Sequence, residues 1–242
     1  MSQARTNRIA LVTGGSSAVG GAVAAALGRE CAAVAIQYRA DRAGALRAAA
    51  GVREGGAEAF LIRAALDRDA SPAALAARVR RCCGRIDILV HTIGPFLQKR
   101  WDRLTPADWD GMFRSNLVSA HGLLLAVLPG MRRRKWGRVV FFGYGRVEQE
   151  AAFPGILAYA AAKAGLLLLT RTAGAAEAAR GVTINMVSPG LLTVGARPSG
   201  LDAARHPLGT PQDVAAAVRF LASAEAARIT GTNLTVAGTW KM

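Results

Sequence analysis

The sequence predicts an α/β fold built around a parallel sheet, and three observations carry that expectation. Apolar runs of strand length alternate with helix-length stretches along the whole chain, the pattern of successive βα units. Its 242 residues suit one domain large enough to bury a full core without disulfides or metals. No repeat, low-complexity linker or composition break divides it.

Seven runs read as strands: Ile9 to Thr13, Ala32 to Gln37, Ala59 to Arg63, Ile86 to His91, Arg138 to Phe142, Val182 to Val187 and Asn233 to Val236. Helices are expected over Ala18 to Gly28, Arg42 to Glu54, Pro72 to Cys83, Pro106 to Met131, Gly155 to Ala179 and Pro211 to Ala222. Ser71-Pro72 and Thr210-Pro211 each read as an N-cap followed by an N1 proline. The two longest helices are apolar almost all round, so each buries more than one face and a subunit interface is expected there.

Composition narrows the function classes. Lys and Arg number 31 against 16 Asp and Glu, a net charge of +15, concentrated in Arg78 to Arg81 with Arg85 and in Arg132 to Lys135 with Arg138. A basic chain attracts nucleic acid, anionic lipid or acidic partners, yet nothing here resembles a recognition helix or an RNA-stacking motif. The arginines are read mainly as coating for solvated helix faces. No apolar run reaches the roughly 18 residues of a membrane span. The first eight residues lack an apolar leader core, so the cytoplasm is the expected compartment. Cys31, Cys82 and Cys83 have neither disulfide nor zinc spacing and are read as small buried hydrophobes; no metal is expected.

Two patterns carry chemistry. The first strand ends in Thr13-Gly14-Gly15-Ser16-Ser17-Ala18-Val19-Gly20 and opens directly into a helix. Such a turn lets the backbone approach a phosphate at a helix N-terminus; alone, it is also an ordinary strand-to-helix loop. Farther on, Tyr159 and Lys163 stand at i, i+4 on one helix face. An ammonium beside a phenol lowers its pKa and suits it to proton transfer. By itself that spacing also fits a surface pair.

Together with Asn116 in Ser115-Asn116-Leu117 and with Ser188-Pro189-Gly190, these motifs resemble the short-chain dehydrogenase/reductase family, in order and separation, from about Arg8 to Val236. The resemblance implies a single Rossmann-type domain over residues 1–242: a doubly wound parallel sheet of about seven strands with helices on both faces. It also implies hydride transfer between a nicotinamide cofactor and a carbonyl or alcohol. Tyr159 is then the proton donor, Lys163 lowers its pKa and holds the ribose, and Asn116 carries a water chain. The implied cofactor contacts are Thr13, Gly14, Ser16, Ser17, Val19, Gly20, Tyr38, Arg39, Asp67, Gly94, Tyr159, Lys163, Pro189, Gly190, Leu192 and Thr193. Arg39, after the second strand, is expected to grip a 2′-phosphate, which favours NADPH over NADH.

The chain departs from the family pattern at three places. Ala18 replaces the middle glycine of the turn, and His91-Thr92-Ile93-Gly94 replaces Asn-Asn-Ala-Gly, with His91 read as structural. Residues 139–158 also contain no Ser or Thr, where the family carries a serine that bonds the substrate oxygen. Tyr144 stands near that place, either as a substitute donor or as a packing residue. Within the family, 3-oxoacyl-thioester reductases take substrates on coenzyme A or on an acidic carrier protein, and Arg180 and Lys135 match basic entrance positions. A local likeness to a serine-lacking branch suggests instead the 5-aminopentanone group on elongation factor P. A catalytically weak cofactor-binding sensor or scaffold is a further alternative. Residues 194–207 are expected to form a modest loop over the site, and a homodimer or homotetramer is expected.

Overall fold

The computed structural model describes residues 6–66, 71–195 and 208–238. Asp67 and most of the expected loop over the site, 196–207, lie outside the described residues. The described chain forms β1 (Ile9–Thr13), α1 (Ala18–Gly28), β2 (Ala33–Tyr38), α2 (Arg42–Glu54), β3 (Glu58–Arg63), α3 (Pro72–Cys83), β4 (Ile88–His91), α4 (Pro106–Phe113), α5 (Ser119–Arg134), β5 (Gly137–Phe142), α6 (Leu157–Glu177), β6 (Val182–Pro189), α7 (Pro211–Ala222) and β7 (Asn233–Val236). The strands pair in parallel in the order β3-β2-β1-β4-β5-β6-β7, with the chain reversing its direction of winding between β1 and β4.

Alternation along each strand sends side chains to opposite faces. Leu11, Leu89, Phe141 and Ile184 pack under α3, α5 and α6, while Val12, Val34, Val90 and Val140 pack under α1, α2 and α7. The expected N-caps are present: Ser71 accepts from the Ala74 amide, and Thr210 forms a reciprocal capping box with Asp213. The stretch Pro106–Arg134 is long and apolar enough to cross a bilayer by composition, but half of its most apolar window is buried in the domain, with Leu123, Leu124 and Met131 in the core.

Two expectations about surface residues need correction. Cys31 is buried, but Cys82 is exposed, and Cys83, although it packs against the core cluster that holds Leu75, Ala76 and Val79, is only half-buried at the last turn of α3. Nor are the arginines simply a solvated coat. Arg85 (2.8 Å) and Arg134 (2.9 Å) both reach the buried Asp87 carboxylate, which also accepts the Ile9 amide. Arg132 binds both oxygens of Glu177 at 2.6 and 2.8 Å, and Arg138 is itself buried in β5, donating to the Ser223 carbonyl. Burial lowers the Arg138 pKa to about 10, with Arg8 nearby adding to the effect.

These ion pairs tie together the N-terminal edge of the sheet. Replacing Asp87 with Ala leaves a buried amide and two guanidinium groups without their acceptor, so the protein should lose about 2 kcal/mol in urea unfolding. A loss below about 0.5 kcal/mol would show that the cluster is not structural.

Candidate active site

The opposite edge, where the strands end, gathers the turn after β1 with Gly94, Asn116, Tyr144, Tyr159 and Lys163. The turn after β1 is held by close backbone packing. Gly14 sits at φ 68°, and a Cβ on Gly20 would stand 2.3 Å from the Gly14 carbonyl oxygen. Ser17 caps α1: its hydroxyl donates to the Gly14 carbonyl (2.9 Å) and accepts from the Gly20 amide (3.0 Å), so its observed bonds are structural. Ala18 is exposed at the first position of α1, and Val19 packs partly against the core.

Gln37 was not anticipated. It is buried in an otherwise apolar strand, accepts the Gly14 amide at 2.8 Å and donates to the Ala64 carbonyl at 2.6 Å, pinning the turn to the ends of β2 and β3. A single amide inside Ala-Val-Ala-Ile-Gln-Tyr was the available signal. Around this turn lies a cleft of about 330 Å³, lined by Gly14, Ser16, Ser17, Arg39, Gly94 and Ser115 among others. It opens at the β1/β4 switch point, the usual ligand position in doubly wound sheets. Tyr38 is buried beside it in β2.

His91 joins β1 to α5. Its Nδ1 lies 2.8 Å from the Thr13 hydroxyl and its Nε2 3.4 Å from the Ser119 hydroxyl, which donates onward to the Ser115 carbonyl. That donation assigns the ring proton to Nε2. Burial, then the nearby Lys163, lowers the His91 pKa to about 3, so the ring is neutral and structural, as expected.

Asn116 lies in a π-helical turn, Arg114–Val118, that interrupts the single long helix expected over 106–131. The widened turn aims the side chain inward. Its Nδ2 donates to the Met112 (3.1 Å) and Pro95 (3.3 Å) carbonyls, while its buried Oδ1 has no hydrogen-bond partner. From α6, the buried Lys163 ammonium donates to the Phe142 carbonyl at the end of β5 (2.7 Å). A Cβ on Gly94 would lie 2.5 Å from Lys163 Nζ and 2.7 Å from Asn116 Oδ1, so three distant segments meet where only glycine leaves room. The positive-φ glycine turn, the cleft and this cradle fit an extended dinucleotide.

Tyr159 is 9% exposed and sits in a row of rings: Phe96 at 5.1 Å, Tyr144 at 5.5 Å, and Phe153 beyond Tyr144 at 6.0 Å. The expected lowering of its pKa by Lys163 is absent from this arrangement. Burial first, then Tyr144, push the phenol well above its ordinary value, while Lys163 lies 5.9 Å from the ring centroid and is drawn to Phe142. β6 runs to Pro189, two residues beyond the expected Val187, and Gly190 follows it; Leu192 pairs with Gly209, and Thr193 donates its amide there at 2.9 Å.

Arg180 and Lys135 are not at this edge. They precede β6 and β5 at the opposite end of the sheet, and Arg180 pairs with Glu177 at 3.1 Å. Within one chain they do not flank the site.

Burial also lowers the Lys163 pKa to about 7 from 10.5. Between those values the unfolded chain holds a proton that the folded chain has released. This contribution to stability is therefore present above pH 10.5 and lost as pH falls through 7. Measured by urea midpoint, the wild type should gain on Lys163→Met as pH rises from 7 to 10; a pH-independent difference would contradict the burial of the ammonium.

The family model described as enoyl-(acyl carrier protein) reductase matches residues 14–239. The 3-oxoacyl-[acyl-carrier-protein] reductase FabG of Vibrio harveyi is 35% identical over 242 residues, covering 96% of each chain. The acetoacetyl-CoA reductase of Rhizobium meliloti is 32% identical over 244 residues, covering 96% of this chain and 98% of that one. A crystal structure of acetoin dehydrogenase YohF from Salmonella typhimurium, 23% identical, shares the fold with a TM-score of 0.87 over 97% of this chain and 96% of that one. With its switch-point cleft and the meeting of Gly94, Asn116 and Lys163, the chain belongs to the short-chain dehydrogenase/reductase family and is an oxidoreductase of it.

Proposed function

We propose that this protein is a cytoplasmic NADPH-dependent carbonyl reductase acting on the ketone of a 3-oxoacyl thioester, presented on coenzyme A or an acyl carrier. The observation that carries the reading is a buried phenol, Tyr159, one helical turn from the Lys163, Asn116 and Gly94 cradle. The bound dinucleotide supplies the hydride. As charge grows on the substrate oxygen, the Tyr159 proton moves to it; an alkoxide is far more basic than a phenolate, so a raised phenol pKa does not obstruct reduction. Oxidation of an alcohol by the same route would need the phenolate, which burial disfavours.

Lys163 and Asn116 hold the reactive end of the cofactor and keep polar groups available beside Tyr159. The names of the FabG and acetoacetyl-CoA reductase relatives support the thioester assignment. For NADPH the support is Arg39, exposed at the end of β2 and lining the cleft where a 2′-phosphate would lie. A homo-oligomer is supported by Val118, Leu125 and Leu168, which are 57, 55 and 67% exposed on the central helices.

With acetoacetyl-CoA and NADPH, Tyr159→Phe should lower kcat by at least ~10²-fold while leaving NADPH affinity within about threefold. Turnover close to wild type would refute the proton assignment. Arg39→Ala should reduce the NADPH-over-NADH preference in kcat/KM by about tenfold or more, because a bidentate charge-assisted contact to phosphate is lost. An unchanged ratio would remove Arg39 from cofactor selection.

A further inference from the structure

A carbonyl oxygen becoming an alkoxide can take more than one hydrogen bond, and preorganised donors at that point usually supply the largest part of catalysis. Tyr159 provides one. Residues 139–158, which connect the end of β5 to α6 alongside the site, contain no Ser or Thr, so the only side-chain hydroxyl there before Tyr159 belongs to Tyr144.

The backbone fixes where that hydroxyl starts. Gly143 donates to the Val187 carbonyl (2.9 Å), and a Cβ on it would stand 2.3 Å from Ser188 Oγ and 2.7 Å from Met186 Sδ, so the chain leaving β5 is pressed against β6. One residue later the Tyr144 carbonyl accepts the Val147 amide (2.9 Å), closing a turn. The Tyr144 ring is then held between Phe153, edge-on at 6.0 Å, and Tyr159, tilted by 51° at 5.5 Å. The neighbouring Ser188 hydroxyl is directed to Asn233 Oδ1 at 2.6 Å.

We propose that Tyr144 is a second catalytic hydroxyl, donating a hydrogen bond to the substrate oxygen alongside Tyr159. This deepens the carbonyl-reductase reading and rests on it. The two rings lie 5.5 Å apart, and burial keeps the Tyr144 proton in place at neutral pH. The division of labour balances. Hydride adds to the carbonyl carbon, the C–O π pair becomes an alkoxide lone pair, Tyr159 gives its proton to that oxygen and is reprotonated from solvent, and Tyr144 keeps its proton throughout. A phenol reaches several ångströms farther from the backbone than a hydroxymethyl group, so the reacting oxygen lies out between the two rings rather than against β5.

The test uses NADPH and acetoacetyl-CoA with wild type, Tyr144→Phe, Tyr159→Phe and a chain carrying 3,5-difluorotyrosine at position 144. Tyr144→Phe keeps the ring and its contacts, so melting temperature and NADPH affinity should stay at wild-type values while kcat falls ~10²-fold with KM within about threefold. Difluorotyrosine preserves the shape but makes the phenol more acidic, so the alkaline limb of kcat should move to lower pH; a packing role would leave it in place. Should Tyr144→Phe unfold, the difluorotyrosine profile decides alone. Tyr144→Phe activity within threefold of wild type, or an unmoved alkaline limb, overturns the proposal and leaves the reductase reading standing. An inactive wild type, or an active Tyr159→Phe, overturns the reading and the proposal together.

Discussion

The bond from the Lys163 ammonium to the Phe142 carbonyl sets the geometry of the whole site. It is made in a buried place, where a charged group is costly unless a dipole meets it. That cost explains both the register of α6 on the end of β5 and the drop of the lysine pKa toward neutrality. Once Lys163 is fixed, Tyr159 one turn earlier is fixed as well, and its ring settles among Phe96 and Tyr144. The same ammonium leaves no room for a side chain at residue 94, so the turn after β4 must come in as bare backbone. The neighbouring histidine is neutral, which lets a lysine share the interior with it.

Stability and chemistry are divided between the two edges of the sheet. At the N-terminal edge, Asp87 and Glu177 gather Arg85, Arg134, Arg132 and Arg180 into ion-paired clusters. At the C-terminal edge the polar groups form short hydrogen-bonded chains, Thr13 to His91 to Ser119 and Gly14 to Gln37 to Ala64. The basic excess of the chain therefore speaks partly about how the sheet is closed off. Arg39 is the basic residue among those lining the cleft.

Most of the fold was legible because parallel strands buried on both faces leave apolar runs that are hard to misread. Boundaries moved by one to three residues, as at β4, which begins at Ile88 rather than Ile86, and at α5, which runs on to Arg134. The positions of Tyr159, Lys163, Asn116 and Gly94 were legible from motif spacing. What was not legible depends on contacts distant in sequence. The π turn at Arg114–Val118 has no local marker, Gln37 acts on a glycine 23 residues earlier, and Arg180 is claimed by Glu177 rather than by a substrate. The ionisation of Tyr159 depends on burial, which i, i+4 spacing does not report.

The central claim is that a protonated Tyr159 stands ready beside a site for hydride delivery to a ketone. The most direct measurement follows the label from NADPH deuterated at the transferred nicotinamide position, with acetoacetyl-CoA as acceptor. The account predicts a 3-hydroxyacyl product carrying one deuterium on the carbinol carbon. A product labelled there from deuterated solvent instead, or no consumption of the deuterated NADPH, would contradict it.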